Sequence, residues 1–239
     1  MKQLTIESVG QVHLIFRCYR SHPPVGWWFR GQSREDWLLV PKAGRDDFFI
    51  PDNRDLGRLR HWRTDAIAYF DRIPSNDWDC IALAQHHGLA TRLLDWTYNP
   101  LVALYFACCS EPNADGAVFF YDPVTFVESE VLPLDKATTG VGFIPAAFNN
   151  RILNQKAIFT VHNPPNQEIQ LGPHSCLEGE SNLQRMVVPS GLKDPFLKML
   201  DDYGINEVTL FPDLDGWSRH LNWETIGMVN NAKNGEGKA

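Results

Sequence analysis

Cysteine is scarce and scattered: Cys18, Cys80, Cys108, Cys109 and Cys176 form an odd set of five with no disulfide-framework spacing. Cys108 and Cys109 sit in an apolar run and read as buried thiols. No cysteine–histidine spacing of zinc type occurs, so no metal is expected. Positive charge is also short. Lys and Arg number 22 against 29 Asp and Glu, a net charge of −7. Bulk electrostatic coating of nucleic acid needs a basic surface, so that class is excluded, although a local basic groove is not. No stretch approaches the roughly 20 apolar residues that span a bilayer. Met1–Glu7 carries no signal-type apolar run, so the expectation is a cytoplasmic chain with no membrane partner. Absent too are a Gly-x-Ser-x-Gly elbow, a phosphate loop ending in Gly-Lys-Ser or Gly-Lys-Thr, and a Gly-x-Gly-x-x-Gly turn.

What is present suffices for a sizeable core. The 239 residues are 44% apolar and include eight tryptophans and fourteen phenylalanines. Periodicity predicts helices over 8–19, 55–70, 76–87 and 99–109, the last entered through Asn99-Pro100 and apolar nearly all round. Further helices are expected from Asp194-Pro195 to Gly204 and from Asp213 or Asp215 onward. Strands are predicted at 27–31, 37–40, 116–121, 157–161, 184–188 and 207–211, with 122–150 irregular. The pattern gives an α+β fold: a single domain over 1–229 with a mixed, mostly antiparallel sheet and helices concentrated in the first half. Residues 230–239 read as a polar, disordered tail.

Two segments place charged side chains in strongly apolar surroundings, which is costly unless the charge is paired or meets a ligand. The first is Trp27-Trp28-Phe29-Arg30-Gly31-Gln32. An arginine on a strand beside a glycine can clamp a phosphate, or it can pair with a carboxylate such as Asp95. The second runs from Gln85-His86-His87-Gly88 through Thr91-Arg92-Leu93-Leu94-Asp95-Trp96-Thr97 into the apolar helix. Its short polar groups suit an anion at a helix N-terminus, or simple capping by Thr97 or Asn99. His86 and His87 point about 100° apart on a helix and do not chelate one ion; one reads as a hydrogen-bonded histidine and one as a surface histidine. Arg54, Arg58, Arg60 and Arg63 form a small basic face, diluted by Asp52, Asp55 and Asp65, that reads first as a solvated helix.

At these residues the sequence resembles the FRG domain family, named for the motif seen here as Phe29-Arg30-Gly31. The central block from Gln85 to Ala107 carries the resemblance, with further blocks at Arg151–Gln155, Phe159–Val161 and Leu210–Gly216. The order of motifs more distantly resembles ADP-ribosyltransferases of the Arg-Ser-Glu type. That resemblance implies a sheet split around an NAD cleft. It implies that Arg30, Gly31, Gln32, Gln85, His86, Thr91, Arg92, Asp95 and Trp96 bind NAD and that Thr97 holds the nicotinamide ribose. The third catalytic group falls on Glu207, at the start of a strand, or on Gln155. Ile205 replaces the acid such enzymes carry two residues earlier, while Glu178-Gly179-Glu180 supplies a Glu-x-Glu pattern elsewhere. Trp96, Phe29 or Tyr98 would stack on the nicotinamide. The implied acceptor is a single-stranded nucleic acid or a protein, in a toxin or phage-defence setting with an antitoxin. An NAD glycohydrolase and a non-catalytic nucleotide- or nucleic-acid-binding module are the alternatives.

Overall fold

The computed structural model describes residues 2–233 except 20, 23–24, 71, 124, 128–131, 146–156 and 174–180. Its strands are β1 (Lys2–Thr5), β2 (Ser21–His22), β3 (Val25–Gly26), β4 (Trp28–Gln32), β5 (Leu93–Thr97), β6 (Gly116–Tyr121), β7 (Phe126–Val127), β8 (Val141–Phe143), β9 (Ala157–Val161) and β10 (Leu183–Val188). Its helices are α1 (Gln11–Cys18), α2 (Arg54–Ala66), α3 (Asp77–His86), α4 (Pro100–Cys108), α5 (Ser190–Asp202), α6 (Glu207–Leu210) and α7 (Leu214–Lys233). Eight strands form one sheet in the order β1-β10-β6-β4-β5-β9-β8-β7. Among the described residues, the pairs β1–β10 and β7–β8 are parallel and the others antiparallel, so the sheet is mixed and mostly antiparallel.

Alternation along the central strands assigns the faces. Phe29 meets Phe16, Val102, Phe120, Met186 and Phe196 in a cluster built from α1, α4 and α5. Trp28 points the other way, among Leu94, Trp96, Phe119 and Tyr121. A third cluster joins α2 and α3 to the β5–β9–β8 half through Leu59, Trp78, Ile81, Leu93 and Phe159. The apolar helix α4 is buried on nearly every side, as its composition predicts.

Gly31 explains how α4 comes so close to β4. A Cβ there would stand 1.8 Å from the Ala103 carbonyl oxygen. The missing side chain therefore admits the helix backbone rather than a ligand.

Local chemistry sets the helix starts. The Asn76 side chain accepts from Asp79 N–H at the head of α3, and Asn99 accepts from Leu101 N–H ahead of Pro100. Gly88, at φ +90°, follows α3 where a left-handed residue is needed.

Several expectations are corrected. Residues 37–40 form no strand: Leu38 C=O is taken by the Gln32 amide and Leu39 N–H by Glu168, so no ladder forms. The strand expected over 207–211 is the one-turn helix α6, which a reciprocal Asn206–Thr209 capping box nucleates. The 122–150 stretch contains β7 and β8. The first half is not simply helical, since β1 to β5 lie within it. α5 starts at Ser190 and carries Pro195 inside it. α7 continues to Lys233, so residues 230–233 are helical rather than a disordered tail.

Candidate functional site

β4 pairs β6 at five registered positions, and β5 pairs β9 at five. Between β4 and β5 the register holds at one, Phe29 against Thr97. Beyond that pair the Asp95 carbonyl accepts from Arg30 Nη1 at 2.7 Å, so a guanidinium stands where a ladder donor would otherwise be. A cavity of about 260 Å³ opens at this gap, lined by Arg30, Gly31, Asp95, Thr97, Ala103 and Phe106 among others.

Arg30 is the unusual group there. Its side chain is 14% exposed, and the Asp95 carboxylate, 60% exposed, lies 3.9 Å away. Its Nε is buried with no partner among the described residues. Burial pushes the Arg30 pKa from 12.5 down to about 10; Asp95 opposes that shift, and the positive charge of Arg45 adds to it. A desolvated guanidinium with an unfilled donor on a cavity wall can take an anion. Arg45 was not legible from local pattern. It follows a short helical turn, Lys42–Gly44, is exposed, and acts on Arg30 through its charge without lining the cavity.

Asp95 is positioned from α3. The Gln85 amide donates to Asp95 Oδ1 at 2.8 Å, and Gln85 Oε1 accepts from the Thr91 hydroxyl. Thr97 lines the cavity and also accepts from Asn99 N–H at 3.0 Å, while Asn99 caps α4. Both capping alternatives are therefore realised, one after the other.

The sequence-derived set divides sharply. Arg30, Gly31, Asp95, Trp96 and Thr97 come together at the cavity. The Trp96 side chain is buried beneath it, its indole N–H donating to Thr160 Oγ1 at 3.0 Å. Phe29 is buried in the core, so neither of these rings is free to stack on a ligand. Phe106, half-buried on the cavity wall, is the aromatic that sequence reading missed. Gln85 and Thr91 act one step removed, and Gln32 is buried with its amide on Leu38 C=O. His86 ends α3 with its ring 5.0 Å from that of His87 and is not on the cavity wall.

Arg92 belongs to a different structure. It is fully buried and holds Asp55 with two 2.7 Å bonds, Asn53 at 2.9 Å and Asn163 at 3.2 Å. All its nitrogens are occupied, so it ties β5 to the start of α2 and leaves nothing for a ligand. Glu207 lines a separate cavity of about 170 Å³. There it accepts from the Tyr105 hydroxyl at 2.5 Å and from Arg219 Nε at 2.9 Å. Burial, then the Glu207 contact, raises the Tyr105 pKa. Gln155, Glu178 and Glu180 lie outside the described residues.

Beneath the cavity runs a neutral hydrogen-bonded relay. The Gln167 carbonyl can only accept, so His162 Nδ1 carries the proton at 2.6 Å. Nε2 is then free to accept from Thr160 Oγ1 at 3.3 Å, and that oxygen accepts from Trp96. Burial lowers the His162 pKa to about 4, with the Arg30 charge a smaller cause in the same direction.

An α+β chain with an anion-receptive cavity at the parting of two central strands is the class these features define. The family model of the FRG domain matches residues 26–116. That span holds β4, α2, α3, β5 and α4, and with them every described lining residue except Ala157. Glu207 and Gln155 fall beyond it. No curated protein and no solved structure matches the chain. Among the described residues, no helix is long and apolar enough to cross a membrane.

Proposed function

We propose that the chain is an NAD-consuming ADP-ribosyltransferase acting on a macromolecule. The observation that carries this reading is Arg30: a desolvated guanidinium, its Nε without a partner among the described residues, at the gap between β4 and β5. In this reading Arg30 takes the pyrophosphate, and Thr97 with Asp95 takes the nicotinamide ribose. The glycosidic bond breaks with its electron pair leaving on nicotinamide. The acceptor's nitrogen or oxygen bonds to the ribose carbon and gives up its proton. Asp95 is the one carboxylate among the described lining residues, so it is the group that stabilises positive charge developing on the ribose. Gln155, in the family-type block, remains a candidate beside it. Glu207 is not, because it lines another cavity and is held there by Tyr105 and Arg219.

Such an enzyme fits a cytoplasmic toxin or phage-defence effector that a cell restrains with an antitoxin. The test is incubation with labelled NAD, alone and with lysate, RNA or DNA. Transfer predicts nicotinamide release together with a labelled macromolecule. Free ADP-ribose as the sole product points to hydrolysis, and no release in any mixture rejects both enzymes.

One observation favours a second reading, a nucleotide-binding module without turnover. The cavity of about 260 Å³ is smaller than the roughly 300–1,000 Å³ typical of ligand pockets and takes one end of a dinucleotide. Binding without release would identify that module.

A further inference from the structure

A larger cavity than the one at Arg30 lies along α2, a groove of about 740 Å³. One wall is a helical face. Arg54, Arg58 and Trp62 follow at intervals of four residues, and Tyr69 extends the row past the helix end. Gly57 notches this wall; nothing lies within 4 Å of the Cβ it lacks. Leu89, just past α3, forms part of the opposite side.

The charges here differ from those elsewhere on the helix. Arg63 is held by Asp77 at 2.9 Å. The guanidiniums of Arg54, Arg58 and Arg60 have no hydrogen bond or ion pair among the described residues. Two carboxylates share the groove, Asp52 and Asp65, and Asp65 faces His61 at 3.5 Å. Three unpaired guanidiniums thus line one groove of a chain whose net charge is −7. The aromatic groups are also unusual. Tyr69 is 89% exposed, and Trp62, partly buried, lines the groove with its ring stacked on His87, centroids 6.5 Å apart.

We propose that this groove binds a single strand of nucleic acid. The arginines contact phosphates, and Tyr69 offers a face to an unpaired base with Trp62 beside it on the groove wall. A duplex keeps its base faces in the stack and an acidic peptide has none, so neither uses the rings. The groove shares no lining residue with the Arg30 cavity but is linked to it along the chain by the end of α3. Gln85, which holds Asp95, and Leu89 are four residues apart, at most about 14 Å of chain. The proposal stands whether or not NAD is consumed.

Fluorescence polarisation with labelled oligo-dT, oligo-U, a hairpin duplex and a poly-glutamate peptide tests it. A single strand binds, and its affinity falls as salt rises; the ratio of oligo-dT to oligo-U tells DNA from RNA. The double variant Arg54→Glu/Arg58→Glu weakens binding by about tenfold or more and flattens the salt slope. Tyr69→Ala weakens it by about fivefold or more with the slope kept. Arg30→Met leaves it unchanged, which separates this groove from the NAD reading. Melting curves check that each variant folds, and Arg54→Ala replaces the double variant if charge reversal unfolds the chain. Failure of both single strands to bind overturns the proposal. So does duplex binding of equal strength, peptide binding with the same sensitivity to charge reversal, or unchanged affinity in Tyr69→Ala.

Discussion

Arg30 and Arg92 are both arginines on or beside central strands, both withdrawn from water, and they are opposites. Arg92 meets a buried carboxylate with two bonds and two asparagine oxygens besides. Among the described residues, Arg30 has one carbonyl at bonding distance, a largely exposed carboxylate further off, and a buried Nε with no partner. A saturated buried arginine is a strut. An unsaturated one beside a cavity is a cost that folding alone does not explain. The difference lies in what each partner does when the arginine is gone: Asp55 is buried and would be stranded, whereas Asp95 already faces water.

The sharpest way to break this contrast is substitution by methionine at both positions. Arg92→Met leaves Asp55 charged and unpaired in the interior, and is expected to lower stability by about 3–5 kcal/mol in a urea titration. A smaller loss would mean that the cluster relaxes and is not a strut.

Next in size is a pH effect beneath the cavity. His162 takes a proton near pH 6.5 when unfolded but only near pH 4 when folded. Between those values the unfolded chain binds more protons, so stability falls as pH drops through 6.5 and levels off below about 4. The expected loss is about 3 kcal/mol, and His162→Gln should remove that part of the acid dependence in paired urea titrations at neutral and acid pH.

Gly31→Ala tests the close approach of α4 to β4. Its Cβ meets backbone at 1.8 Å, which only movement of the helix relieves, at an expected cost of about 1–3 kcal/mol. Arg30→Met should change stability least, staying within about 1 kcal/mol of the wild type, because a desolvated guanidinium is removed and no buried charge is stranded.

Much of the scaffold was legible. The aromatic strand β4, the Asn76 and Asn99 caps, α4, β6, β9 and β10 all follow from local pattern. The failures share a physical cause: competition from partners distant in sequence. Residues 37–40 have strand-like side chains, but Gln32 and Glu168 consume their backbone groups. Glu207–Phe211 has β-prone residues, but the Asn206 cap and packing against α7 make a helical turn. At the site, Arg30, Asp95 and Thr97 were legible because polar residues stood out in apolar runs. Sequence could not distinguish Arg92 from Arg30, since Asp55, Asn53 and Asn163 reach Arg92 only through the fold. Phe106 went unseen for the same reason.

The most direct test of the central claim, that Arg30 is a ligand clamp and not a strut, is a thermal-shift titration with NAD and ADP-ribose on wild type and Arg30→Met. The account predicts that ligand raises the wild-type melting temperature. It predicts that Arg30→Met melts cooperatively near the unliganded wild type, with affinity at least about tenfold weaker. Equal shifts in both proteins, or none in the wild type, would contradict it.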